Sequence, residues 1–230
     1  MSHFAVAVFN REGQDIESLL APFDENLSVE PYIVYTRERA IDYAREHYKM
    51  EDKTDQECWD FMAQDYEIRD ADGNLYSTYN PISKWDYWME GGRWNGCLID
   101  HGERVNTGRV RDVSLYFSEE EYKKALRLWD VLVGHQPKEE GESFGFYIYT
   151  EEYTRERYKD RESFAKSRSH FIPYAVLMPD GGWIACGDMG WFGMGSESVD
   201  KAREWEESFE ERFLKSADPD WYITIVDCHI

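Results

Sequence analysis

The chain has 230 residues, a formal net charge of −21 and 16% aromatic residues, including 9 Trp, 16 Tyr and 12 Phe. A field this negative repels nucleic acid and anionic membranes, so neither direct nucleic-acid binding nor membrane association is expected. The aromatic side chains bury large areas and exclude a disordered chain in spite of its charge. No apolar run approaches the ~20 residues that a membrane-spanning helix needs.

Cysteine spacing and the opening residues indicate the compartment. Cys58, Cys97, Cys186 and Cys228 are widely spaced and form no CxxC pair. The chain opens directly on a strand pattern, with no secretory apolar region before it. The sequence therefore predicts reduced thiols and a cytoplasmic protein, with no cofactor.

The predicted elements follow from apolar spacing and capping residues. In chain order they are a buried strand at 3–9, a strand at 29–36, helices at 36–50 and 54–66, strands at 96–100 and 104–110, a helix at 117–133, a strand at 144–150, a charged helical or mobile segment at 151–168, strands at 171–178 and 183–187, a helix at 198–215 and a strand at 221–230.

This order of elements predicts the fold class. Strands at both ends of the chain flank helices and further strands, which suits an α+β fold with a mainly antiparallel sheet and packed helices. A ferredoxin-like centre is one form of it, and in such a topology the first and last strands can be antiparallel neighbours. We expect a single domain over 1–230, with a subdivision near 135–143 as the alternative because that segment is polar and contains Pro and Gly.

The segment 79–96, YNPISKWDYWMEGGRWNG, lacks any clean period and is the first candidate site. Its cations and indole rings would favour an anionic aromatic ligand such as a nucleotide, and its glycines would let the backbone approach that ligand. The predicted ligand-binding residues here are Lys84, Trp85, Asp86, Trp88, Gly91, Gly92, Arg93 and Trp94. The alternative is structural: the tryptophans fill a core, and Arg93 forms an ion pair with Asp86.

The second candidate is the glycine-rich segment 187–195, GDMGWFGMG, which follows a strand and precedes a helix. That order can place backbone N–H groups around an anion, although the segment matches neither GxGxxG nor GxxxxGK[ST]. Trp191 and Phe192 are predicted to contact the ligand here. The alternative is a hydrophobic flap anchored by those two rings.

A third group of polar residues lies at the chain ends. Asp227 and His229 share one face of the last strand, and antiparallel pairing with the first strand would bring His3 beside them. Three such groups could bind a metal, but a cross-strand hydrogen bond explains them equally well, and no metal site is predicted. Cys228 points to the opposite face.

Several stretches carry a resemblance to known sequences. The opening HFAVAVF, the block LLAPFDENLSVEPYIVYT, the block YNPISKWDYWMEGGRW, the loop GDMGWFGMG and the terminal TIVDCHI resemble a group of uncharacterised proteins encoded by bacteriophages and bacteria. The resemblance implies a phage or prophage accessory protein acting in a host cell. It brings no activity and no catalytic residue with it.

Three functions follow from these observations as hypotheses. The first is a non-enzymatic binding protein that sequesters a small anionic, nucleotide-like ligand or blocks a host protein. The second is an enzyme on a small nucleotide-like substrate, with Asp86 or Glu90 as acid or base and Arg93 holding the anion; the sequence contains neither GxSxG nor HExxH. The third is an acidic decoy for a nucleic-acid-binding protein.

Overall fold

The computed structural model describes residues 2–144, 150–188 and 197–230. Its strands are β1 His3–Asn10, β2 Tyr32–Tyr35, β3 Ile68–Arg69, β4 Leu75–Ser77, β5 Tyr87–Glu90, β6 Leu98–Asp100, β7 Glu103–Val105, β8 Thr107–Arg109, β9 Val113–Leu115, β10 Ala175–Leu177, β11 Trp183–Ala185 and β12 Tyr222–His229.

The helices are α1 Ile16–Leu20, α2 Arg37–Tyr48, α3 Asp55–Ala63, α4 Glu119–Leu132, α5 Glu151–Arg157, α6 Arg161–Ser169 and α7 Val199–Phe209. A π-helical turn, Glu210–Leu214, extends α7. None of the helices in the described ranges is long and apolar enough to span a membrane.

The main sheet has the order β11-β10-β1-β12-β5, with β8 also paired to β12. The β1–β10 pair is parallel and the other pairs of this sheet are antiparallel. Two small antiparallel sheets, β2-β4-β3 and β7-β6-β9, lie outside it. The α+β class and the mainly antiparallel pairing predicted from the sequence are therefore confirmed.

The first and last strands form the centre of this sheet. They pair antiparallel along their whole length, from His3 opposite His229 to Asn10 opposite Tyr222. The six inner residues of each strand are buried. Near-continuous apolar sequence on both strands fits a position covered on both faces.

The main core lies on one face of this sheet. Alternate residues of the two central strands point toward α7, which supplies Trp205 and Phe209. The cluster on this face includes Ala7, Phe9, Ile223 and Ile225 from β1 and β12. Because His3, Asp227 and His229 continue the same alternation, they lie on the same face beyond the end of the apolar core.

The chain divides into two compact units, one made of Met1–Ala21 with Trp85–Ile230 and the other of Pro22–Lys84. The second unit has its own core, in which Ala40, Ala44, Cys58 and Leu75 are buried. The polar segment 135–143 lies inside the first unit.

One predicted strand is wrong, and α1, β3, β4, β5 and β9 are absent from the predicted elements. The segment 104–110 is not one strand, because β7 pairs with β6 while β8 pairs with β12. β5 is absent from the predicted elements, because it is largely exposed and carries no alternation of apolar and polar residues. Most of the strand predicted at 144–150 lies outside the described residues.

Candidate functional site

A tight turn after β5 holds the backbone of Arg93 against the last strand, β12. The 3₁₀ turn Gly92–Trp94 follows β5, and Gly91 and Gly92 take φ values of +67° and +53°. The N–H of Gly91 donates to the Ile225 carbonyl over 2.8 Å, and the N–H of Trp94 donates to the Gly91 carbonyl over 2.9 Å. The glycines are required because only glycine adopts this region at little cost.

Asp227 lies directly beneath this turn. Its side chain is only 3% exposed, and its Oδ2 accepts a hydrogen bond of 2.9 Å from the Arg93 backbone N–H. A Cβ added at Gly92 would lie 2.5 Å from the Cβ and from Oδ2 of Asp227. The second glycine of GGRW therefore makes room for a carboxylate as well as for the turn.

Two imidazoles complete the group. The second oxygen of Asp227 lies 2.8 Å from Nδ1 of His3. Nδ1 of His229 lies 2.5 Å from Oδ1 of Asp86, and the Asp86 backbone N–H donates to the His229 carbonyl over 3.0 Å. The His3 and His229 ring centroids are 4.9 Å apart, with the planes inclined at 70°. We call His3, Asp86, Arg93, Asp227 and His229 the two-histidine site.

The chain ends are fixed in this region. The Ser2 N–H donates to the Ile230 carbonyl over 3.2 Å, and the Ile230 N–H donates to the Ser2 carbonyl over 3.0 Å. Both histidines lie just inside this pair of bonds. The site therefore lies on two strands whose backbone pairing continues to the last residues, and not on loose termini.

The hydrogen bonds define what the imidazoles can do. An ionised carboxylate only accepts hydrogen bonds, so the Nδ1 atom facing it carries the proton. Nε2 of each ring makes no hydrogen bond with the described residues, and the His3 and His229 side chains keep 21% and 13% of their surface exposed. Each Nε2 can accept a proton when the ring is neutral or donate a hydrogen bond when the ring is charged.

Arg93 is exposed, and its guanidinium forms no hydrogen bond or ion pair with any residue in the described ranges. The structural alternative of an Arg93–Asp86 ion pair is wrong, since Asp86 contacts His229 instead. A free guanidinium offers five donors in a fixed fork that suits a phosphate or carboxylate.

The three tryptophans of the segment 79–96 lie in different surroundings. Trp94 packs against the main core, and Trp85 is 5% exposed, with an indole N–H that has no partner among the described residues. Trp88 pairs with Cys228 across β5 and β12 and lies on the face opposite to His229. Tyr87 is the β5 residue that lies opposite His229 in the strand register; it is 54% exposed and is not among the predicted site residues.

The other candidate residues are Lys84, Trp191, Phe192 and Glu90. Lys84 ends the second unit, where its N–H donates to the Phe23 carbonyl over 2.8 Å. Trp191 and Phe192 lie outside the described residues, as does most of the segment 187–195. Glu90, a candidate acid or base, is exposed and accepts a 3.2 Å hydrogen bond from the Thr107 hydroxyl.

Two cavities of about 180 and 190 Å³ lie beside α6 and α7, and no residue of the segment 79–96 lines either one. They share Ser167, His170, Ile172 and Glu206. Burial lowers the pKa of His170, although Glu210 lies 3.1 Å from its Nε2 and opposes the shift. Sequence reasoning missed these cavities because none of their lining residues forms a motif.

Across the described ranges, no group of three or more His, Cys, Asp or Glu side chains is arranged to hold a metal ion. The thiol of Cys228 points away from the histidines and is buried, and this burial raises its pKa.

Comparison of the chain with protein-family models, curated protein sequences and solved structures gave no significant match. The resemblance to phage and prophage proteins and the ferredoxin-like centre therefore stay predictions.

Proposed function

We propose that this protein binds a small anionic, nucleotide-like ligand at the two-histidine site. The observation that carries the proposal is that the Arg93 guanidinium is exposed and has no partner among the described residues. The backbone N–H of Arg93 donates to the Asp227 carboxylate over 2.9 Å, which fixes the position of the residue. The same Asp227 orients His3, so cation and imidazole share one anchor.

The hydrogen-bond donors fit a phosphate group. Arg93 supplies the permanent positive charge, and each imidazole adds an Nε2–H donor when protonated. A protonated ring beside its carboxylate is a neutral pair overall, so it adds a donor without adding repulsion. The exposed ring of Tyr87 offers a face on which a planar base can stack.

The biological role that we propose follows the phage resemblance. Such a protein would act in the host cell by withholding a nucleotide signal from its receptor. Blocking a host protein through the same surface is the alternative, and it predicts a protein partner and no affinity for nucleotides.

The test is calorimetric titration with inorganic phosphate, AMP, ATP and a cyclic mononucleotide. We expect at least one to bind, and Arg93→Ala to weaken that binding about tenfold or more, because charge-assisted hydrogen bonds contribute about 1.5–3 kcal/mol. Lys84→Ala tests the other predicted cation of the segment 79–96.

Arg11→Ala is the matched control. Arg11 is also exposed in the first unit, and its side chain makes no hydrogen bond or ion pair with the described residues. Both variants change the net charge equally, so only a local contact separates them. Equal affinities of the two variants, or no binding by the wild type, would reject the proposal.

A further inference from the structure

The two-histidine site contains two imidazoles in the same chemical setting. Each is held at Nδ1 by a carboxylate, at 2.8 Å for His3 and 2.5 Å for His229, and each keeps Nε2 unengaged by the described residues. Carboxylates that hold Nδ1 fix both the tautomer and the ring orientation. Structural histidines need no such symmetry, whereas proton transfer at Nε2 does need a fixed ring.

The two rings are close enough to act on one bound group, since their centroids are 4.9 Å apart. When one ring is neutral and the other is protonated, one Nε2 is a base and the other is an acid. These are the two partners that general acid–base catalysis requires.

Resting on the anion site proposed above, we propose that His3 and His229 hydrolyse a phosphodiester bond of the bound ligand. The neutral ring takes a proton from water at Nε2, and the water oxygen forms a new bond to phosphorus. The bond from phosphorus to the leaving oxygen breaks, and the charged ring gives its Nε2 proton to that oxygen. The products are a phosphomonoester and an alcohol, and a proton exchange between the rings through solvent restores the starting state.

Charge selects a diester over a monoester. A phosphodiester carries one negative charge, which the single guanidinium of Arg93 matches. A monoester carries close to two charges at neutral pH, and Asp86 and Asp227 lie on the same site in a chain of net charge −21. The partly exposed rings leave room for water to reach them.

The test uses bis(4-nitrophenyl) phosphate as the substrate and release of 4-nitrophenolate as the signal, with 4-nitrophenyl phosphate as the monoester comparison. We expect turnover of the diester well above that of the monoester. Loss of the base, by His3→Asn or His229→Asn, should lower kcat about 100-fold or more, and loss of the acid should lower it less because 4-nitrophenolate leaves readily without a proton. The calorimetric affinity for inorganic phosphate should change only a few-fold in both variants. The Asn amide can still donate to the carboxylate but has no group in the place of Nε2.

His101→Asn is the matched control, since His101 also pairs with an aspartate, Asp100, at 2.5 Å but is 82% exposed and outside the site. It should leave kcat unchanged. For His3→Ala and His229→Ala, added imidazole should restore part of the turnover, a result that a structural role would not produce. Circular dichroism and thermal melts establish that each variant is folded.

The outcomes separate the two proposals. Phosphate or nucleotide binding without any diester turnover overturns the catalytic inference and leaves the binding function standing. Turnover that survives in the His3→Asn/His229→Asn double variant also overturns it. Turnover abolished by EDTA and restored by Zn²⁺ would show a metal-dependent reaction and overturn the two-histidine mechanism.

Discussion

Gly92 is required both by the backbone conformation of the turn and by the close approach of Asp227. Its φ of +53° favours glycine, and a Cβ there would collide with Asp227 at 2.5 Å. We predict that Gly92→Ala lowers the free energy of unfolding by about 2–4 kcal/mol, combining left-handed strain with displacement of a buried carboxylate. Urea denaturation followed by circular dichroism measures this loss.

Gly13→Ala is the comparison that isolates the collision. Gly13 has a φ of +77°, and a Cβ added there would meet no atom within 4 Å, so this substitution carries only the backbone strain. Its loss should be about 1–2 kcal/mol. Equal losses at the two positions would contradict the close approach of Asp227 to Gly92.

His170 gives a pH-dependent contribution whose sign can be stated. Burial lowers its pKa below the ordinary value of 6.5, so the unfolded chain takes up the proton first as the pH falls. The native state therefore loses stability below about pH 6.5, where the unfolded state is already protonated. Glu210 and Lys166 act on the ring with opposite signs.

We expect the wild type to lose more stability than His170→Gln between about pH 7.5 and about pH 5, measured by urea denaturation at each pH. The exposed His101 should give the opposite sign, because Asp100 raises its pKa and its stabilisation is present at low pH. A wild type that is no more acid-sensitive than His170→Gln would contradict the assignment.

Among the elements, α3 is the best-specified helix of the second unit. The Thr54 hydroxyl oxygen accepts from the Glu57 N–H over 3.2 Å, and the Glu57 carboxylate accepts from the Thr54 N–H over 2.9 Å. This reciprocal capping box satisfies two backbone donors at the start of the helix.

We predict that Thr54→Ala lowers the free energy of unfolding by about 1 kcal/mol, because the first turn loses its side-chain acceptor. Thr54→Ser keeps the hydroxyl and should stay within a few tenths of a kcal/mol of the wild type. Thermal or urea denaturation of the three proteins is the measurement. A Ser variant as unstable as the Ala variant would mean that the methyl group matters and not the cap.

The type of an element could be predicted where a capping residue or a continuous apolar run fixes the local conformation. α4 begins after Ser118, whose hydroxyl accepts from the Glu121 N–H, and both central strands follow from their apolar runs. β5 was missed because an exposed edge strand takes its conformation from its neighbour β12 and not from its own sequence.

Across the molecule as a whole, the four cysteines are a common probe of both units. Cys58, Cys97, Cys186 and Cys228 are all free and buried. Burial also raises the pKa of Cys97 and raises that of Cys186 to about 11, which further lowers the reactive thiolate fraction. A folded chain of this kind should present no reactive thiol.

We predict that Ellman's reagent labels the native protein slowly at all four positions and labels all four rapidly after unfolding in guanidinium chloride. Mass spectrometry after brief alkylation identifies any site that reacts early. Rapid labelling of Cys58 alone would show that the second unit opens on its own, and rapid labelling of all four would contradict the buried positions.

Sequence alone was sufficient for the fold class and for a glycine-dependent backbone at GGRW, and it left antiparallel pairing of the first and last strands as a possibility. These follow from local physics: apolar runs that must be buried, hydroxyl caps, and glycines required for positive φ. The alternation along the last strand also put Asp227 and His229 on one face and suggested that His3 joins them. It did not predict that each imidazole has its own carboxylate.

The folded chain was needed to show which groups of the candidate segment act together. Trp88 and Trp94 turn toward other surroundings, while Arg93 is left exposed above Asp227. The reason is the register of β5 on β12, which sets every side chain of that strand to one face or the other. Such pairing joins residues more than a hundred positions apart, and no local pattern in the chain encodes it.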